Sequence, residues 1–190
     1  MINYMSMINP KKILLHCCCA PCAASILEWL KENQYEVILY FYNPNIYPEQ
    51  EYIIRKNELL RYANELGLTV VDDDYKHDKW LQYIAGLEQE KERGGRCLQC
   101  FKMRLLATAR VAERMQIPVI ATTLASSRWK SLTQIEEAGK WAEAQVTGVE
   151  FWAKNWRKDG LQERRRILLA ENKFYNQQYC GCEYSMNRLD

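Results

Sequence analysis

Short apolar runs alternating with helix-period segments constrain this chain more than any other feature. "KKILL" (Lys11 to Leu15), "EVILYFY" (Glu36 to Tyr42), "LTVV" (Leu68 to Val71) and "IPVIATT" (Ile117 to Thr123) are short and apolar and are bounded by polar or turn residues. Parallel strands covered on both faces look like this. Between them, apolar residues recur every three or four positions. Examples are Ala23, Ile26, Leu27 and Leu30 in "CAASILEWLKEN", after a turn containing Pro21. Tyr52, Leu59, Leu60, Ala63 and Leu66 do the same in "EQEYIIRKNELLRYANELG", which Gly67 is positioned to stop. "DKWLQYIAGLE" reads as a short helix and "CLQCFKMRLLATARVAERM" as a long one. A further helix runs from after Ser131 to about Gln145, "GVEFW" is a short strand, and a last helix spans Leu161 to Glu171. The alternation predicts an α/β fold: an open parallel sheet with right-handed crossovers and helices on both faces. At 190 residues and 48% apolar content, a single domain over residues 1–190 can bury an ordinary core.

Such sheets bind ligands beyond the carboxyl ends of their strands, where strand order reverses. "HCCCAPC" follows the first strand and "TTLASS" the fourth. If those strands are neighbours, the two loops face each other across one crevice, with thiols where a phosphate-binding loop would carry glycines.

No segment reaches the roughly 18 apolar residues of a membrane span. The N-terminal "MINYMSMINPKK" carries its lysines after its apolar residues and lacks an apolar h-region, so it does not read as a secretory leader. A cytoplasmic protein is expected, and there the eight cysteines are metal ligands or redox thiols rather than structural disulfides. Cys19/Cys22 and Cys97/Cys100 form C-x-x-C pairs at helix entries, where the helix N-terminus favours thiolates. Cys180 and Cys182 form "CGC", while Cys18 adjoins Cys19 and, pointing the opposite way in extended chain, could serve a neighbouring centre. Cys17 has no partner spacing and reads as core packing. Seven thiols exceed the needs of one four-ligand site. An iron–sulfur cluster with a second metal, or a cluster with a redox pair, uses them all.

Two other readings stay open at this level. "CAPC" between strand and helix resembles thioredoxin-like dithiol oxidoreductases, with "IPV" (Ile117 to Val119) imitating their cis-proline segment. That fold is about half this length and leaves four cysteines unexplained. A zinc-stabilised binding module that catalyses nothing is the other, although Cys22 and Cys97 are far apart for a local zinc ribbon.

"LLHCCCAPC", "FYNPNIYP", "ERGGRCLQCFKMRL", "TTLASSRWKS", "KDG" and "YCGCEYS" occur in this order from Leu14 to Ser185. In order and spacing they resemble the cobalamin-independent, QueH-type epoxyqueuosine reductases. The resemblance covers the chain from about Lys12 and implies a sheet of the adenine-nucleotide α-hydrolase-like (HUP) type. It implies an iron–sulfur enzyme that reduces the epoxide of epoxyqueuosine, at the wobble position of a tRNA, to the alkene of queuosine. By position it carries the ligand role to Cys18, Cys19, Cys22, Cys97, Cys100, Cys180 and Cys182, leaving Cys17 out. The chain departs from the pattern at Asn155, where many relatives have an acid, and at Arg164, where a serine is common.

Removing the epoxide oxygen as water takes two electrons and two protons. No G-x-G-x-x-G nucleotide fingerprint is present, so a metal centre must carry the electrons. The expectation is a [4Fe–4S] cluster fed by an external donor of ferredoxin or flavodoxin type, beside a second, mononuclear iron acting as Lewis acid. Mixed thiolate and carboxylate ligation would suit that iron, and Asp74 in "DDDYKHD" is the candidate oxygen ligand. Tyr179 is the candidate acid or stacking partner. His16 is expected to be hydrogen-bonded in place and His77 to lie on the surface. Net charge is only +2, so contacts to tRNA must be local. Arg128 and Lys130 in "SSRWKS", and Lys154, Arg157 and Lys158 interleaved with Trp152 and Trp156, are the candidates for phosphates and splayed bases. Arg164 to Arg166 extend the basic character.

Overall fold

A computed structural model describes residues 11–188; the leader reading of the N-terminal segment lies mostly outside those residues. Five strands, β1 (Lys12–His16), β2 (Glu36–Phe41), β3 (Val70–Asp72), β4 (Val119–Thr122) and β5 (Glu150–Phe151), form one sheet. Its order is β3-β2-β1-β4-β5 and every pairing is parallel. The helices are α1 (Ala20–Glu32), α2 (Glu49–Glu65), α3 (His77–Tyr83), α4 (Gly95–Arg114), α5 (Leu132–Glu143) and α6 (Leu161–Glu171). Short 3-10 turns follow at Thr123–Ser126 and Glu183–Arg188.

The order reverses between β1 and β4: the chain runs outward from β1 through β2 to β3, then returns to β4. With right-handed crossovers, that reversal puts α1 and α2 on one face and α4 and α5 on the other. α1 packs against α2 and α4 against α5, as this requires, while α6, which follows β5, packs back against α1. This is the open HUP-type sheet. Thioredoxin-like sheets are mixed, and here every strand is parallel and the peptide before Pro118 is trans, so the dithiol reading loses its fold. No described helix is long and apolar enough to cross a membrane.

Several element ends differ from expectation for local reasons. α1 begins at Ala20 instead of after Pro21. Cys19 is its N-cap and Pro21 sits in the first turn, where a missing N–H costs no hydrogen bond. β4 stops at Thr122 because the Thr122 hydroxyl accepts from the Leu124 N–H at 3.1 Å and turns the chain into a 3-10 helix. β3 starts two residues late, at Val70, the partner that Leu39 of β2 selects. Gly139 is needed on α5: a Cβ there would come within 2.2 Å of the Phe151 ring, so its absence lets the helix lie against β5.

Candidate metal centre

The loop leaving β1 is built from its neighbours. The Cys17 N–H donates to the Tyr40 carbonyl at 2.8 Å and its thiol to the Leu15 carbonyl at 3.4 Å, so Cys17 extends the strand and packs into the core. Cys18 turns the other way. Its N–H donates to Thr123 Oγ1 at 3.1 Å, and that hydroxyl donates to Cys18 Sγ at 3.4 Å. Ser126 bonds the Cys22 carbonyl at 3.3 Å, so the β1 and β4 loops clasp each other at the switch point as the sequence predicts. The sulfurs of Cys18, Cys19 and Cys22 all lie within 4.8 Å of one another, with Cys18 and Cys19 at 3.7 Å. A tetrahedral centre with ~2.3 Å metal–sulfur bonds has sulfurs about 3.8 Å apart, so this buried triad can hold a metal ion.

The other four thiols gather at a second point. Cys97 and Cys100 lie in the first two turns of α4. With Cys180, Cys182, Trp80 and Arg104 they line one small cavity of about 20 Å³. The tail reaches it because Gly181 adopts φ +133 and nestles against Arg55, Asn45 and Ile46. The Gly181 carbonyl accepts from Tyr47 N–H at 2.8 Å, and Arg55 donates to the carbonyls of Cys180 and Tyr179, both at 3.3 Å. The tail thiols are docked among the others rather than stranded.

Four cations are buried around these sulfurs: Arg55, Arg96, Arg104 and Lys130. Only Arg55 has a carboxylate, Glu51 at 2.6 Å. Arg96 donates to the Glu88 and Glu90 carbonyls and Arg104 to Asn43 Oδ1. Neither of them, nor Lys130, forms an ion pair among the described residues. An unpaired buried cation is costly, so this shell requires anions inside it, and the thiolates are the groups available. Burial alone would lower the Lys130 ammonium, but the thiols of Cys180, Cys18 and Cys22 outweigh it and hold Lys130 above the usual lysine range. Cys18 is held well below the usual thiol range by hydrogen bonds from the Cys19 and Cys22 thiols, with Lys130 and Arg104 adding to the effect. Burial pushes Cys97 up to about 11 and Cys182 up to about 12. Ligand exchange at those positions therefore calls for a metal to displace the proton.

The remaining expected residues separate sharply. Lys130 is 6% exposed and belongs to the thiol shell, which corrects its assignment to tRNA phosphate. Arg157 donates to the Ser127 carbonyl and, at 2.7 Å, to the Lys130 carbonyl, so it braces the β4 loop. Lys154 is held over the rings of Trp29 at 4.3 Å, Trp156 at 5.3 Å and Trp152 at 5.9 Å, and Trp156 is fully buried and closed to any base. Lys158 and Arg128 are exposed. Asp74 is also exposed and pairs with Lys76 at 2.9 Å, outside the group of residues close enough to share a metal. Tyr179 donates its hydroxyl to the Tyr47 carbonyl and lays its ring 5.2 Å from Arg55, anchoring the tail, and its burial raises the phenol to about 12. His16 bridges Thr122 Oγ1 at 2.8 Å and the Tyr42 carbonyl at 3.2 Å, as expected of a satisfied strand histidine. His77 is half-buried, donating to the Pro44 carbonyl at 2.8 Å and stacking on Trp80, so it braces the tail pocket instead of lying free. Arg164 forms a bidentate pair with Glu28 at 2.6 and 2.7 Å, tying α6 to α1, and Asn155 Oδ1 accepts from Arg157 N–H at 3.0 Å.

Arg55, Arg104, Arg96, Asn43 and Thr123 had not been singled out from the sequence. The signal for two of them was periodicity. Arg104 lies four residues after Cys100 and seven after Cys97, on their helical face, and Arg55 shares a face with Tyr52, Leu59 and Tyr62. An arginine inside an apolar stripe marks a buried anion site.

Comparison with known proteins gives a consistent result. A family model described as "Epoxyqueuosine reductase QueH" matches residues 13–188. An epoxyqueuosine reductase QueH of Haemophilus influenzae is 42% identical over 175 residues, 92% of this chain and 71% of that protein. The Acinetobacter baylyi protein of the same name is 40% identical, covering 94% of this chain and 82% of its own. That of Thermotoga maritima is 33% identical, covering 92% and 90%.

Proposed function

The chain belongs to the QueH family of epoxyqueuosine reductases, and on that footing we propose that it reduces epoxyqueuosine in tRNA at a metal centre drawn from its first, middle and last cysteines. The reaction is a reductive deoxygenation, in which two electrons and two protons convert the epoxide to an alkene and water. The observation that carries the metal-centre reading is the buried cation shell. Arg96, Arg104 and Lys130 surround seven thiols with no carboxylate of their own, and a thiolate-ligated centre is the anion that balances them. Cys18, Cys19, Cys22, Cys97, Cys100, Cys180 and Cys182 would hold a [4Fe–4S] cluster with an adjacent iron. When bound, that group supplies single electrons and Lewis acidity.

The chain's own residues do the rest. Thr123 orients Cys18 from both its N–H and its sulfur, Lys130 and Arg104 stabilise its thiolate, and Arg55 with Tyr47 fixes the tail thiols. His16, buried and held by two hydrogen bonds, stays neutral and keeps the β1 and β4 ends in register. The electrons come from an external ferredoxin- or flavodoxin-type donor, because nothing in the sequence marks a nicotinamide or flavin site.

The test is anaerobic reconstitution with iron and sulfide, followed by nucleoside mass spectrometry of tRNA carrying the epoxide. Conversion to the alkene, with iron and sulfide content that falls in the seven single Cys→Ser variants, is the expected result. Colourless zinc protein that binds tRNA and converts nothing would refute it. Mössbauer spectra fitted by one cluster alone, in fully active protein, would remove the second iron.

A further inference from the structure

Cys22, one of the seven thiols, borders a cavity of nucleotide size. That cavity has a volume of about 580 Å³, inside the range of small-molecule sites. The cavities that touch Cys97 and Cys180 are about 10 and 20 Å³ and could admit only a water or an ion. Arg128, Trp129, Gln162, Arg165 and Gln177 line the cavity over Cys22.

Four of these side chains have capacity to spare, while Gln162 is committed to the Ser126 carbonyl at 2.7 Å. Arg128 makes no ion pair among the described residues, and Arg165 commits only Nε, to the Pro21 carbonyl at 2.9 Å. Trp129 is 41% exposed while its backbone is fixed, since Arg93 donates to the carbonyls of Trp129 and Arg128, both at 3.0 Å. An exposed ring on an anchored backbone is a stacking platform. Gln177 places Nε2 3.9 Å from Cys22 Sγ, and its Oε1 is buried with no partner. Such an acceptor is costly until a donor reaches it, and a ligand hydroxyl or N–H supplies one.

We propose that this cavity receives the modified nucleotide, extruded from the anticodon loop. Its base stacks on Trp129, its flanking phosphates meet Arg128 and Arg165, and a hydroxyl or N–H of the base bonds Gln177 Oε1. The Cys22 side of the metal centre is then the side the substrate meets. The inference rests on the reading that the chain acts on tRNA, and it replaces Lys130, Lys154 and Arg157 as the phosphate contacts.

The test uses anaerobic holoprotein and a fluorescent anticodon stem–loop RNA carrying the epoxide-bearing base, with affinity followed by anisotropy across a salt series. Trp129→Ala should weaken binding by roughly five- to a hundredfold, the range for losing one base stack, and Trp129→Phe should recover most of it. Arg128→Glu should weaken binding and reduce the slope of log affinity against log salt by about 0.7, one phosphate contact on a single strand. The visible absorption of the metal centre should match wild type in all three variants. Wild-type affinity and salt slope in both Trp129→Ala and Arg128→Glu, against a wild type that binds well, would overturn the cavity and leave the tRNA reading intact. A wild type that neither binds the stem–loop nor converts it would overturn both.

Discussion

At the scale of single residues, burial decides role more than residue type does. Lys130 and Arg128 are two positions apart in the same basic stretch, yet one is enclosed among thiols and the other is open to solvent. Lys130→Met should therefore lower iron content several-fold while leaving the salt dependence of RNA binding unchanged, as metal analysis and anisotropy would record. Cys17 and Cys18 are adjacent and diverge in the same way. Cys17→Ala should cost about 1 kcal/mol in denaturant unfolding and leave the metal spectrum intact, because it removes only a packed thiol. Cys18→Ser should reduce metal content with little change in the stability of metal-free protein. The grouping of Cys18, Cys19 and Cys22 was legible in the sequence because their close spacing at a strand-to-helix turn brings the sulfurs together. Lys130, Lys154 and Arg157 were not, since a positive charge is ordinarily assigned to the surface and only the folded chain shows which ones are enclosed.

At the scale of elements, the sheet was legible because strands covered on both faces leave apolar runs that hardly resemble anything else. Their ends were less so. Side-chain capping at Thr122 and partner choice at Val70 are set by residues elsewhere in the chain. Close approaches are likewise invisible until elements are packed. Gly139→Ala would drive a methyl group into the Phe151 ring and should lower stability by about 1–3 kcal/mol, read as a fall in thermal midpoint of the metal-free protein. Gly181→Ala combines a strained φ of +133 with contacts of 3.2–3.3 Å to Arg55, Asn45 and Ile46. It should undock the tail, seen as faster thiol labelling at Cys180 and Cys182 and a loss of bound iron, with the rest of the sheet keeping its amide protection.

For the whole molecule, a metal held by these thiols would couple electrostatics to folding. Arg96, Arg104 and Lys130 sit in the interior without carboxylates, so without a bound metal their charge is opposed only by thiols that burial tends to keep protonated. Stripping the metal with a chelator should lower the thermal midpoint, and the drop should be smaller in Lys130→Met than in wild type, as calorimetry would show. The switch point that gathers these groups also separates their origins along the chain, with Cys18 at one end of the order and Cys182 at the other. During synthesis the sulfurs of Cys18, Cys19 and Cys22 emerge some 160 residues before that of Cys182, a span set by the positions of Cys22 and Cys182. A nascent chain on the ribosome therefore carries a half-built, oxidisable thiol nest until Cys180 and Cys182 clear the exit tunnel.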